Sequence, residues 1–327
     1  MRLHLILFVC LAALAVGHAK LAFHDSFESS NPFDPGDPGS PYFYFQFGVS
    51  SYADDGVSAQ GNGYFRQEIF PFTKTFPQGP TGGFDHVQYL VYTDKSFDIS
   101  DHGRAEYTLR ATSLTNGTEF HPFGADVTHH EGDLRLASCA ANAIDLRTCL
   151  VTDIFMTNEG IIIFYERLPF CRTEQDHYRA FSSMKFVANR APGQVHDLSI
   201  AYHRTNKHIV YFVDGQEVAR VNNIGHPVTD DPEFKLILDH GGINRIVEPL
   251  GFNYGFGCFT LLDMSDPFRH EISHGLVKLD NTPNYYVHPL SFTDSLSNEA
   301  SRIFGQGAMI EVHDLKVTTE KALTDDD

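Results

Sequence analysis

Tryptophan is absent from all 327 residues, and basic side chains are scarce, with 24 Lys and Arg against 42 Asp and Glu. The first absence weakens a sugar-processing reading, because sugar rings stack on aromatic faces and Trp is prominent among them. The 28 Phe and 14 Tyr can take its place. The second absence leaves a net charge of −18, which disfavours nucleic acid and anionic membrane as partners and favours solubility. Part of that charge is Asp325-Asp326-Asp327, read as a solvated terminus. After the first nineteen residues, no segment is long and apolar enough to cross a bilayer. No CxxC pair suggests zinc. No Gly-x-Ser-x-Gly turn, phosphate loop or EF-hand pattern occurs. A sandwich glycosidase carries Glu-x-Asp-x-x-Glu on one strand, and this motif is missing as well. Neither an internal repeat nor a long 3.6-residue period is visible.

What is present begins with a leader. Arg2 is its basic start, Leu3 to Val16 its apolar core, and Gly17-His18-Ala19 a small-x-small cleavage site. The apolar run is too short for a ~20-residue membrane span. The expectation is a secreted, extracellular protein: a signal peptide at 1–19, then one sandwich domain at 20–327 with a short acidic tail.

Four cysteines follow the leader, and an oxidising compartment predicts two disulfides among Cys139, Cys149, Cys171 and Cys258. Three pairings are open. Cys139–Cys149 with Cys171–Cys258 is preferred, because a short loop closes at lower entropic cost and Cys139 and Cys149 flank one apparent turn; the alternative is one disulfide with two buried thiols. Asn116-Gly117-Thr118 is the usable glycosylation sequon; Asn281-Thr282-Pro283 is blocked by its proline.

The strands announce themselves by alternation. Leu198, Ile200 and Tyr202 alternate with polar neighbours, Thr205-Asn206-Lys207 is a polar turn, and Asp214-Gly215 is a strong two-residue hairpin signal. The run from Val195 to Val221 resembles the meander of concanavalin-like and laminin-G-like sandwiches. Tyr42 to Phe47, Tyr89 to Thr93, Arg104 to Thr112, Val151 to Met156, Ile161 to Arg167, Phe234 to Asp239, Phe256 to Asp263 and Met309 to Thr318 also read as strands. Residues 61–82, broken by prolines, read as loop, and Leu134 to Leu146 is ambiguous. The fold expected is all-β: a concanavalin-like (jelly-roll) antiparallel β-sandwich with long irregular loops.

The hairpin 151–167 is apolar on both faces. Ile161, Ile163 and Tyr165 point one way, and Ile162, Phe164 and Glu166 the other. Its second face is either covered by loops or lines a cleft for an apolar or aromatic ligand. Asp153 and Glu166 are its isolated carboxylates. Each is either half of a structural ion pair, with Arg135 and Arg167 as partners, or a general base in an apolar pocket. His240, in Asp239-His240-Gly241-Gly242, is a candidate base at a strand end, and Asp263 is a similar candidate. His121, His129, His130, Glu131 and Asp126 cluster on one segment, but their spacing fits no ligand motif, so they read as a solvated loop and no metal site is assigned.

Leu136 to Leu146, Val151 to Asn158 and Phe164 to Phe170 resemble an uncharacterised concanavalin-like family of bacteria and fungi, over about His24 to Val317. That family implies no chemistry. The leader, length and acidity together are similar to the secreted luciferases of bioluminescent syllid fireworms. That similarity implies oxidation of a small, conjugated aromatic luciferin by O2, without flavin or haem, a divalent ion such as Mg2+ assisting. It transfers no residue roles. Such chemistry needs a base to form an electron-rich anion and a dry pocket. In that reading Glu166, Asp153 or His240 is the base, and Arg135 or Arg167 stabilises the anion. Two alternatives stay open: a non-catalytic glycan- or surface-binding module, and a glycoside hydrolase or lyase with an unusual site.

Overall fold

Alternation of apolar and polar side chains, interrupted by short polar turns, produces strands almost throughout. A computed structural model describes residues 19–28, 33–35, 37–45, 55–73, 86–99, 102–265, 274–279, 286 and 290–321. The leader before Ala19 and the acidic tail lie outside them, as do parts of the strand expected at 42–47 and of the loop expected at 61–82.

In chain order the strands are β1 (Lys20–Asp25), β2 (Tyr42–Tyr44), β3 (Val57–Gly61), β4 (Tyr64–Ile69), β5 (His86–Thr93), β6 (Phe97–Asp98) and β7 (His102–Asn116). Then come β8 (Ser138–Asp145), β9 (Leu150–Met156), β10 (Gly160–Arg167), β11 (Phe181–Asn189), β12 (His196–His203), β13 (His208–Val213) and β14 (Gln216–Val221). The last are β15 (Lys235–Asp239), β16 (Gly251–Thr260), β17 (His274–Val277), β18 (Ser291–Asp294) and β19 (Gly307–Lys321). Two large antiparallel sheets result. One runs β14-β13-β12-β7-β19-β4-β3, with β1 also on β19; the other runs β15-β11-β10-β9-β8-β16-β5-β2, with β6 also on β16. The expected all-β sandwich is the observed architecture.

The turns follow their residues. Asp214 and Gly215 both take positive φ, 50° and 77°, closing β13 onto β14 with two residues as a type I′ hairpin requires. Residues 57–69, in part expected as loop, form a second two-residue hairpin of another turn type, since Asn62 is not at positive φ. Asn62-Gly63 turns β3 onto β4, with Gly63 at φ 82°. The neighbouring prolines and aromatics masked a strong Asn-Gly signal. The ambiguous run 134–146 contains β8, and the strand expected at 256–263 ends at Thr260.

The main core lies between the sheets. Tyr107, Leu198, Ile200 and Tyr211 from one meet Ile154, Ile163, Tyr165 and Phe256 from the other. Two polar tips inside it are satisfied there. Tyr107 donates to the Gly255 carbonyl at 2.6 Å, and the Gly225 N–H donates to the Tyr165 hydroxyl at 2.6 Å. The second sheet is unusual because every residue of β8, β9, β10 and β16 is buried. Its outer face carries Ile162, Phe164, Phe155 and Phe259 beneath Leu134, Leu261 and Met264, with Phe43, Phe45, Tyr286 and Leu290 packed against them. Of the two explanations for an apolar second face, covering segments are the one observed.

The preferred disulfide pairing is overturned. Cys149 is bonded to Cys171, with Cα atoms 5.8 Å apart, while Cys139 and Cys258 are buried thiols. Cys149 immediately precedes Leu150, which pairs with Asp145 at the hairpin end, whereas Cys139 lies six residues back along β8. That interval is ~20 Å of extended chain, too far for a bridge. The turn Pro169–Cys171 instead brings Cys171 beside Cys149, held by a 2.8 Å bond from Leu168 N–H to the Cys149 carbonyl.

Arg190 ties the far end together. Its guanidinium donates to the Thr157 carbonyl at 2.5 Å, to the Ser113 hydroxyl and carbonyl at 3.2 Å each, and to the Gln194 carbonyl at 3.0 Å. Replacing it with Ala leaves buried carbonyls without donors. Arg190→Ala is expected to cost about 2–4 kcal/mol in denaturant unfolding, and a loss under about 1 kcal/mol contradicts this role.

At the β12–β13 turn, the rings of His203 and His208 stand 4.5 Å apart. Burial first, then His208 and the neighbouring Arg104 and Arg220, push the His203 imidazole down to about 4. The unfolded chain titrates it near ~6.5 and binds more protons in between, so its contribution to stability is lost as pH falls through that window. The melting temperature is expected to drop between pH ~6.5 and ~4. His203→Gln should flatten that drop, and an unchanged slope refutes the assignment.

Candidate functional site

The pairing register lays out the outer face of the second sheet as rows. One row runs Gly255, Asn142, Asp153, Phe164, Met184 across β16, β8, β9, β10 and β11. The next runs Asn253, Ile144, Val151, Glu166, Ser182, Leu238, ending on β15. Asp153 and Glu166 therefore share one face of adjacent strands, on a diagonal two residues long. Such neighbours stand ~7–8 Å apart. Each is only 4% exposed.

Their surroundings differ. Asp153 sits opposite Asn142 and accepts the Ala143 N–H at 3.3 Å. Glu166 accepts the Ser182 hydroxyl beside Phe164, Ile237, Leu238, Leu261 and Met264, which line a cavity of about 10 Å³. Asn142, 1% exposed, has its amide oxygen without a hydrogen-bond partner among the described residues. A buried orphan acceptor of this kind is costly unless something fills it.

The structure brings together only two of the five expected catalytic residues. Arg167 follows Glu166 in β10, so it points to the other face. Its guanidinium lies 3.7 Å from the Tyr178 ring centroid and donates to the Arg245 carbonyl at 3.2 Å. Arg135 is engaged by Asp133, at 2.9 and 2.5 Å, and by the carbonyls of Asp126 and His274 at 2.7 and 3.3 Å. These contacts make it a loop anchor. His240 lies two residues beyond Leu238 on the continuation of β15, with its N–H on the Ala180 carbonyl at 2.9 Å. Asp239 before it is paired with Arg179 at 2.5 Å. Asp263 accepts the Tyr286 hydroxyl at 3.0 Å under the covering segment.

Ser182, Asn142 and Asn253 complete the polar set, and none was a candidate in the sequence. Asn253 donates to the Thr93 carbonyl at 2.8 Å. Each lies on a strand, and its place beside the carboxylates is set by lateral register, which no local sequence signal shows. In the His-rich segment, Thr118 contacts His130 Nδ1 at 3.0 Å and the Phe123 N–H donates to His121 at 3.3 Å. Among the described residues no group of three or more His, Cys, Asp or Glu is placed to hold a metal. Asn116 of the sequon is exposed at the end of β7.

A family model described as "Family of unknown function (DUF6081)" matches residues 24–321. The uncharacterised protein L829 of Acanthamoeba polyphaga mimivirus is 26% identical, over 82% of each chain. Among solved structures, the catalytic domain of an endo-1,3-beta-glucanase (laminarinase) from Thermotoga petrophila is 12% identical, with 94% of this chain and 100% of that one covered at a TM-score of 0.47. The endo-beta-1,3-glucanase of Pyrococcus furiosus is 12% identical, covering 94% and 97% at 0.48. The kappa-carrageenase of Pseudoalteromonas carrageenovora is 10% identical, covering 95% and 99% at 0.46. None of these descriptions mentions light emission, so the likeness to luciferases gains no support from them.

Ser182→Ala removes the hydroxyl that Glu166 accepts in a dry setting. It is expected to cost about 1–3 kcal/mol in equilibrium unfolding. A neutral effect would place Glu166 in water and contradict the burial described above.

Proposed function

The chain belongs to the family of unknown function DUF6081, and from its own geometry we propose an enzyme that works by general acid–base catalysis with the Asp153–Glu166 pair, as an atypical glycoside hydrolase or lyase. The observation that carries this is the diagonal placement of two buried carboxylates on one sheet face. Backbones ~7–8 Å apart put both carboxyl groups within reach of one glycosidic bond, as a pair of acid and base requires.

The two environments separate the roles. An apolar wall favours a protonated carboxyl, so Glu166 is assigned the acid that protonates the leaving oxygen. A backbone N–H and a facing amide favour a carboxylate, so Asp153 is assigned the base that takes a proton from water. The orphaned amide oxygen of Asn142 would accept a substrate hydroxyl. The cavity beside Glu166 is about 10 Å³, room for one water and not for a sugar ring, so the covering segments must part before a substrate reaches the pair.

A second reading draws on the same lining. Phe155, Phe164 and Phe259 make the face apolar and aromatic, which suits a small aromatic luciferin deprotonated at Glu166 or Asp153 and oxidised by O2. One panel separates the readings: nitrophenyl mono- and disaccharides, with proton NMR of the released anomer, beside light emission in air and under nitrogen with fireworm extract. The expected result is glycoside release, falling about 10²–10⁴-fold in both Asp153→Asn and Glu166→Gln while near-ultraviolet dichroism is kept. Oxygen-dependent light without release would favour the oxygenase. Sugar retention with neither activity would leave a binding module.

A further inference from the structure

Cys139 and Cys258 take no part in the site or in the Cys149–Cys171 bridge, yet their sulfurs lie 3.2 Å apart. The two residues are direct register partners on β8 and β16. Directly opposed residues of an antiparallel pair have Cα atoms ~4.5–5.5 Å apart, inside the ~4.4–6.8 Å window that a disulfide spans. Their side chains point the same way, into the space between the sheets, where the Cys139 sulfur lies 3.4 Å from the Met309 carbonyl of β19. Closing the sulfurs from 3.2 Å to bonding distance needs side-chain rotation and no shift of the strands.

We infer that Cys139 and Cys258 are joined as a second disulfide whenever the chain folds in an oxidising compartment. The Cys149–Cys171 bridge supports such conditions, since disulfides form and persist there. In the reaction two S–H bonds break and one S–S bond forms. The two electrons reduce one small-molecule disulfide of the glutathione kind, whose sulfurs leave as two thiols carrying the two protons. The timing follows from burial. Both thiols are fully enclosed in the finished sandwich, and burial holds the Cys258 thiol well above its ordinary range, so the thiolate needed for exchange is scarce there. Oxidation belongs to the stage when β8 and β16 have paired and β19 has not yet covered them. The bridge would close a span of 119 residues across the middle of the second sheet, while Cys149–Cys171 closes 22 at its end. Longer spans constrain the unfolded chain more.

The test is thiol mapping of the full chain secreted from a eukaryotic host through its own leader. The protein is unfolded in guanidinium with N-ethylmaleimide and no reductant, then digested and mapped by mass. The expected result is no labelled cysteine, with a crosslinked Cys139–Cys258 peptide beside Cys149–Cys171. Secreted Cys139→Ala should then show one label, on Cys258, and a lower unfolding midpoint. Label on both Cys139 and Cys258 of the wild type overturns the inference. So does a crosslink from Cys139 to Cys149 or Cys171. The wild-type map decides the question even where the variant fails to fold.

Discussion

Both faces of the central strands of the nine-stranded sheet are out of water, and the rest of the molecule is arranged around that constraint. A half-wet sheet tolerates polar residues on every second position at no cost. Here β8, β9, β10 and β16 have no wet face, so each polar side chain on them must find a partner or be destabilising. The first sheet shows the contrast. Its outer face carries Arg104–Glu106, Arg110–Asp197 and Arg66–Glu311, exposed or partly exposed pairs whose contribution is small and easily replaced. Asp153, Glu166, Asn142 and Ser182 have no such latitude. Their presence among Phe155, Phe164 and Phe259 calls for a reason beyond solubility, and the proposed catalysis supplies one.

How much of this was legible depended on whether the signal was local. The hairpin of β9 and β10, its two apolar faces and the Asp214-Gly215 turn were readable because period two and positive φ act over a few residues. The same alternation sets Arg167 on the face opposite Glu166, since consecutive strand residues face opposite ways, and the expected pairing of the two overlooked it. The Asn62-Gly63 turn was there to be read as well, but nearby prolines suggested a loop. Ser182 and Asn142 were not readable. They reach Glu166 and Asp153 through lateral pairing of β11 with β10 and of β8 with β9, and that register is set by the whole sheet.

The cysteines make the same point with distances. Short sequence separation favoured Cys139–Cys149, but an extended strand covers ~3.3 Å per residue and carries them apart. The real neighbours are Cys149 and Cys171, joined by a turn, and Cys139 and Cys258, 119 residues apart and side by side in the sheet. Loop-closure entropy decides which contacts form easily in an unfolded chain. Strand register decides which ones exist in the folded one.

The central claim is that the carboxylates of the second face are kept for chemistry and not for the fold. Thermal unfolding of the paired substitution Glu166→Met with Ser182→Ala tests it most directly, because both partners of the buried bond are removed together and neither is orphaned. Replacing a buried polar pair by apolar groups of similar shape is neutral or stabilising where the pair has no structural duty. The account predicts an unchanged or higher melting temperature. A fall of several degrees, or failure to fold, would make Glu166 part of the scaffold and contradict the account.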